Sequence, residues 1–158
     1  MSLIIPLIIF FDQYTKHIAE TIYRKNPITF FIFELTYFEN TGVAFGLFKD
    51  KAFIHGILSS IIVGLILIIR DYTFRKKKYC LKIDFAICMI IAGAMGNIID
   101  RIRLGYVVDM FSIPYFAVIN LADFFISFGG ILLAFFILRS IPVIRKDKGW
   151  KKGNLPVK

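Results

Sequence analysis

The chain's chemistry-bearing residues are aspartates and asparagines in short, spaced groups. Asp12 and Lys16 stand four positions apart, Asn97 and Asp100 three apart, and Asn120 and Asp123 three apart. Asp109 interrupts an otherwise apolar run between Val107-Val108 and Met110-Phe111. Two aspartates held close can share one proton, because like charges at short range cannot both ionise cheaply. One carboxylate then activates water as a base, while the other protonates a carbonyl oxygen. That chemistry requires no covalent intermediate, metal or cofactor. Other chemistries lack their residues. None of Ser2, Ser59, Ser60, Ser112, Ser127 and Ser140 lies in a GxSxG elbow. Neither HExxH nor a phosphate-cradling P-loop occurs. The two histidines, His17 and His55, are too few for a zinc site unless carboxylates complete it. Cys80 and Cys88 form no CxxC pair, so disulfide or metal chemistry has no support.

These residues must be positioned within a bilayer. Of the 158 residues 58% are hydrophobic, 20% are charged and 18 are Phe, and the mean hydropathy is +0.71. A soluble domain carries about a quarter charged residues. A spanning helix needs about 20 mostly apolar residues, and four stretches qualify: about 3–23, 52–69, 83–99 and 121–138. The first is broken by Asp12, Lys16 and Glu20. It lacks a basic opening and a small-residue cleavage site, so it reads as a retained helix rather than a signal peptide. Its apolar run begins at Leu3, which leaves almost no cytoplasmic segment before it. With no Gly/Ser-rich linker and no repeat, residues 1–158 read as a single integral membrane domain.

Charge sets the orientation. Arg70, Arg75, Lys76, Lys77, Lys78 and Lys82 follow the second span, and Arg139, Arg145, Lys146, Lys148, Lys151, Lys152 and Lys158 follow the fourth. The positive-inside rule makes that side cytoplasmic and places both termini there. The net charge of +9 is therefore chiefly a topology signal, and nucleic-acid binding is not expected. The connections of about 24–51 and 100–120 then face outward. ITFFIFELTYF (Ile28 to Phe38) and YVVDMF (Tyr106 to Phe111) are β-branched and aromatic, as in short strands at the outer interface. The expected architecture is all-α membrane, four transmembrane helices with a small extracytoplasmic β-sheet. Gly56, Ser60 and Gly64, then Ala92, Gly93 and Gly96, are spaced for close helix contact.

This topology gathers Asp12, Lys16, Asn97, Asp100, Asp109, Asn120 and Asp123 near the outer face. Ionisable residues at membrane depth are expensive and usually mark a site or a pathway. Each also has a structural reading. Asp12 and Lys16 can neutralise one another across one helical turn. Asp100–Arg101 fits an interfacial charge pair, and Asn120 with Asp123 fits a helix N-terminus. Asp109, in an apolar strand, is the hardest to explain that way.

FDQYTK (Phe11 to Lys16), ENTGVAFG (Glu39 to Gly46), GAMGNIIDR (Gly93 to Arg101), GYVVDM (Gly105 to Met110) and NLAD (Asn120 to Asp123) resemble, in order and spacing, the motif set of lipoprotein signal peptidase, or signal peptidase II. The resemblance spans about residues 10–130. It implies that Asp109 and Asp123 are the catalytic pair. Asn40, Asn97, Asp100, Arg101 and Asn120 would bind substrate or support the site, and Asp12 and Lys16 would form a structural pair. It also implies a bacterial inner-membrane aspartic endopeptidase, likewise a four-helix bundle with a β-cradle. Such an enzyme removes signal peptides from prolipoproteins just before the diacylglyceryl-modified cysteine. Membrane lipid surrounds it and globomycin inhibits it. A monomer is expected for this chain, with no cofactor or metal. Val43, Met110 and Phe124 depart from the commoner family residues without removing a catalytic group.

Three rival functions remain open from sequence. In an ion-coupled transporter the intramembrane acids would line a path, whereas here they cluster at one surface. A Mg²⁺-dependent lipid-headgroup enzyme would use carboxylate ligands, but no close DxxD repeat groups them. A non-catalytic assembly subunit would explain the bundle and leave Asp109 unaccounted for.

Overall fold

The computed structural model describes residues 3–42, 51–75, 80–114 and 117–140. Val43, Phe45 and Gly46 of the outer loop, and the basic Lys76–Lys78 and post-140 segments, lie outside the described residues. The order is α1 (Ile4–Ile18) running into a π-helical turn (Ala19–Tyr23), β1 (Ile28–Phe30), β2 (Phe33–Asn40), α2 (Ala52–Arg75), α3 (Leu81–Arg103), β3 (Val107–Ile113), β4 (Ala117–Ile119) and α4 (Leu121–Ser140). The chain is mostly helical, with a four-stranded antiparallel sheet in the order β1-β2-β3-β4.

Three helices are long and apolar enough to cross a bilayer: Phe53–Arg75, Leu81–Arg103 and Leu121–Arg139. Each extends beyond its expected bounds, α2 and α3 by several residues, since apolar hydropathy fades before helical hydrogen bonding does. The expected first span folds as α1 and its π turn; α1 itself has 15 residues, shorter than these three, and carries the buried Asp12 and Lys16. α3 is the hub. In its apolar window 61% of residues are buried, against 11% in α2 and in α4. Ile8, Met89 and Ala92 form one buried cluster, and Val63, Ile91 and Ile98 form another along the other flank of α3. Apolar side chains elsewhere on α2 and α4 face outward, as lipid-facing surfaces do.

Small residues let the hub pack closely. A Cβ on Gly93 would meet the Ala122 carbonyl oxygen at 2.5 Å, one on Gly129 the Ala86 carbonyl oxygen at 2.9 Å, and one on Gly96 the Asp12 carboxylate. Gly64 has nothing within 4 Å of that position, so its expected contact role does not hold. At the end of the bundle away from the sheet, the Arg70 guanidinium pairs with Asp84, which is buried, and so ties the end of α2 to the start of α3.

The strands differ from expectation in detail. The run over 28–38 is broken into β1 and β2 by a two-residue reversal at Phe31-Ile32, with Phe30 opposite Phe33. Phe31 adopts a left-handed φ of 56° without a Gly or Asn to signal the turn. β4 was not anticipated; it folds back on β3 and leads into α4.

Gly93→Ala is expected to destabilise the protein by about 1–3 kcal/mol, because its new methyl meets backbone that cannot rotate away, whereas Gly64→Ala is expected to be neutral or slightly stabilising. Thermal unfolding of the two purified variants in the same detergent distinguishes them.

Candidate active site

Sequence-distant carboxylates meet around one buried ammonium. Lys16 Nζ lies 2.8 Å from Asp12 Oδ2 and 2.9 Å from Asp100 Oδ2, and donates to Asn97 Oδ1 at 2.9 Å. Lys16 is 3% exposed, Asp12 0% and Asp100 2%, so these charges have surrendered nearly all hydration and depend on one another. Asp12 also accepts the Ala122 backbone N–H at 2.9 Å, which pins α1 to the first turn of α4. Asp100 accepts the Val108 N–H at 3.1 Å, which pins α3 to the strand carrying Asp109. The Asp12–Lys16 pair expected across one helical turn is therefore part of a triad with Asp100. Asp100 pairs with Lys16, not with Arg101.

Three asparagines carry that order to the remaining aspartates. Asn97 Oδ1 accepts from Lys16, so its amide nitrogen faces Asp123 and donates to Oδ1 at 2.8 Å. Asn120 Oδ1 accepts the Asp123 N–H at 2.9 Å, while Asp123 Oδ2 accepts the Asn120 N–H at 3.3 Å. This reciprocal cap starts α4, as expected for that pair. It also turns the Asn120 amide nitrogen toward Asp109 Oδ1, at 2.6 Å, and Asn97 Oδ1, at 3.1 Å. Asn40 Oδ1 accepts the Gly42 N–H at 3.0 Å, and its nitrogen donates to Asp109 Oδ2 at 2.9 Å. Each amide thus has its oxygen held by a fixed donor and its NH₂ turned to a carboxylate, which settles its orientation on chemical grounds.

Sheet register brings Asn40 to Asp109. Asn40 pairs with Val107, which makes Asp109 its diagonal same-face neighbour, but the pairing shifts by one residue between Leu35 and Phe38. Without that irregularity Asn40 would sit beside Val108 instead, because a one-residue slip reverses the faces. Tyr37 fastens the same strands. Its hydroxyl bonds Tyr106 Oη at 3.1 Å and Glu39 Oε1 at 3.0 Å, and the Arg24 guanidinium lies 4.7 Å from its ring centre.

Asp109 is 1% exposed. Burial and the neighbouring charge of Asp123 push its carboxyl up to about 7, against the opposing pull of the Asn40 and Asn120 amides and Lys16. Asp123 is only partly buried. The pair therefore has one sealed carboxyl that retains a proton near neutrality and one that is more open, at a helix N-terminus where the dipole favours negative charge.

Every expected site residue lies in or against this network. Arg101 is the most peripheral, donating to the Asn97 and Gly42 carbonyls at 3.4 and 3.5 Å. Gln13 escaped sequence reasoning. Its amide donates to Asp100 Oδ1 at 2.9 Å and to the Gly96 carbonyl at 3.2 Å. Its position beside Asp12 and three residues before Lys16, on an otherwise apolar helix, was the available signal.

These features define a multi-pass membrane protein built around a sealed carboxylate–amide cluster at the end of its bundle that carries the sheet. The profile of the family described as Signal peptidase (SPase) II matches residues 4–139, and the chain belongs to that family. It is a membrane peptidase. Among its relatives, the lipoprotein signal peptidase of Caldanaerobacter subterraneus subsp. tengcongensis is 38% identical over 139 residues, covering 85% of this chain and 93% of the relative. That of Caldicellulosiruptor bescii is 41% identical, covering 81% and 83%. A bacterial membrane enzyme solved by the in meso method at 2.3 Å resolution superposes with a TM-score of 0.76 at 29% identity, covering 96% of this chain and 93% of the other. A second, at 1.9 Å, gives 0.74 at 31% identity, covering 87% and 92%.

Lys16→Met should leave Asp12 and Asp100 buried without their cation and cost about 3–5 kcal/mol. Thermal unfolding should show a large loss of stability, and a melting temperature equal to wild type would sink the account of Lys16 as the organising charge.

Proposed function

We propose that this chain removes the signal peptide from bacterial prolipoproteins, cleaving before a diacylglyceryl-modified cysteine, with Asp109 and Asp123 as the reacting carboxyls. The observation that carries this reading is the pair itself. Asn120 bridges the two, its amide nitrogen donating to Asp109 Oδ1 at 2.6 Å and its Oδ1 accepting the Asp123 N–H at 2.9 Å. Family membership and relatives named for this activity supply the substrate class.

In this mechanism Asp123 takes a proton from water as the oxygen attacks the scissile carbonyl, and protonated Asp109 gives its proton to the carbonyl oxygen. The tetrahedral diol collapses when the departing amine takes a proton from Asp123 and a diol hydroxyl returns one to Asp109. Atoms and charges balance, and the dyad is restored. Asn120, Asn97 and Asn40 orient the carboxyls, and the Lys16 triad holds the helices that carry them. The whole chain acts as one domain in the inner membrane. α1 with its π turn serves as a fourth span, both termini are cytoplasmic, and the sheet and site lie at the outer face. The basic run at and beyond the end of α2 and the basic segment after α4 support this orientation. The FFIF hairpin tip (Phe30 to Phe33), with Phe31 89% exposed, suits a headgroup-level position. The protein works as a monomer, and globomycin inhibits it.

Asp109→Asn and Asp123→Asn, made separately, are each expected to cut processing of a diacylated precursor by about 10²–10⁴-fold while membrane insertion stays intact. Near-wild-type processing by either variant would refute the dyad.

The pH profile carries a second expectation. Asp109 must be protonated to act as the acid, so kcat/KM should fall as pH rises through about 7. Asn40 donates to the ionised form, so Asn40→Ala should raise the Asp109 pKa and move this alkaline limb to higher pH. A limb that stays in place or moves down in Asn40→Ala contradicts the assignment.

A further inference from the structure

A cavity of 370 Å³ lies between α2 and α3, lined by Phe53, Gly56, Ile57, Ile61, Arg101 and Ile102. Its size falls in the range of about 300–1,000 Å³ common to small-ligand sites. The wall is apolar apart from Arg101 at one end and Ser60, whose hydroxyl is taken up by the Gly56 carbonyl. Phe53, Ile57, Ile61 and Ile102 are each roughly half to two-thirds exposed on the surface that meets lipid, so a chain could enter sideways from the bilayer. Arg101 supplies the second observation. Its Nε is buried and has no hydrogen-bond partner among the described residues. An unsatisfied buried donor costs about 1–3 kcal/mol and calls for an acceptor. The rest of the guanidinium bonds the carbonyls of Asn97 and Gly42. Asn97 holds Asp123, and Gly42 follows the residue next to Asn40, which holds Asp109.

We propose that this cavity receives one acyl chain of the substrate's diacylglyceryl group, with Arg101 donating to the ester carbonyl at its inner end. The occupant is an apolar chain carrying a neutral oxygen acceptor, matching an apolar slot closed by one donor. The substrate's own lipid is favoured over bulk phospholipid by position: a ligand whose ester reaches Arg101 is one residue's contact away from both reacting carboxyls. The subsite rests on the peptidase reading above and adds to it an acyl-length filter, set by the depth of the slot. Gly56 controls that depth. A Cβ there meets only the Arg101 side chain, at 3.4 Å and 3.9 Å, so a larger residue would fill the cavity without striking backbone.

The test uses full-length protein in nanodiscs and lipobox peptides bearing dioctanoyl, dilauroyl or dipalmitoyl glyceryl groups, together with a dipalmityl diether analogue. Cleavage is followed with wild type, and binding with the Asp109→Asn variant, each with and without Gly56→Leu. Ser60→Leu serves as a second filling variant, since Ser60 lines the same cavity and bonds only the Gly56 carbonyl. Filling the slot should raise KM and the binding constant for the dipalmitoyl peptide by about tenfold or more, with little change for dioctanoyl and with kcat preserved. Wild type should prefer the diester to the diether, and Arg101→Lys should lose that preference. If cleavage proceeds but chain-length dependence is unchanged in both filling variants, the subsite is overturned and the peptidase reading stands. If Asp109→Asn cleaves as wild type does while binding still responds to Gly56→Leu, the dyad is overturned and the subsite stands.

Discussion

One buried ammonium organises this molecule. Lys16 projects from α1 against α3, and its three acceptors lie on α1 and α3. Each acceptor then reaches a further element. Asp12 holds the start of α4, Asp100 holds β3, and Asn97 holds Asp123 on α4. These groups are sealed from water, so removing one contact leaves a charge or a polar group stranded. The cluster thus acts as a polar joint inside an apolar bundle. It converts a helix packing with little intrinsic directionality into one with a defined register at the end where the sheet attaches.

The joint and the proposed reacting pair are successive layers of one hydrogen-bonded network. Lys16 pairs directly with Asp12 and Asp100, while its hydrogen-bonded connection to Asp109 and Asp123 runs through the Asn97 and Asn120 amides. An amide carries order without carrying charge. Burial and the Asp123 charge keep the Asp109 carboxyl up at about 7 even though the Lys16 charge pulls the other way. The position of Asp109 in a strand of a four-stranded sheet, with Val107, Val108 and Met110 buried around it, supplies the desolvation that raises its affinity for a proton. The more open Asp123 begins a helix, where its side chain caps the Asn120 N–H. The proposed division of labour between two carboxyls recurs wherever one site must furnish an acid and a base at the same pH.

The hub helix explains why small residues cluster where they do. Gly93 and Gly96 stand against the Ala122 backbone and the Asp12 carboxylate. Larger residues there would separate α3 from α1 and α4, and with it Asn97 from Asp123. Gly56 faces Arg101 across a gap rather than a contact, which is why it borders a cavity and the other two do not.

Much of this was legible in the residues. Hydropathy marks out the helices, and lysine and arginine placement supports an orientation. The Asn120–Asp123 spacing announces a helix start, and Asp109 stands out because a charge within VVDMF has no local reason to exist. These signals are local or depend on composition, and a single pass along the chain recovers them. What the chain alone left open was contact: that Asp100 would pair with Lys16 rather than with adjacent Arg101, that Gln13 would join the cluster, that a reversal at Phe31 would split one apparent strand into two, and that β4 would return the chain from Asp109 to Asn120. The single-residue shift in β2 that brings Asn40 onto the face of Asp109 leaves no composition signal either. Such features depend on long-range geometry, where the partner of a buried charge is whichever opposite charge the folded backbone brings within about 3 Å. Sequence determined which residues had to be paired, because the bilayer forbids leaving them alone; only the tertiary structure decided with whom.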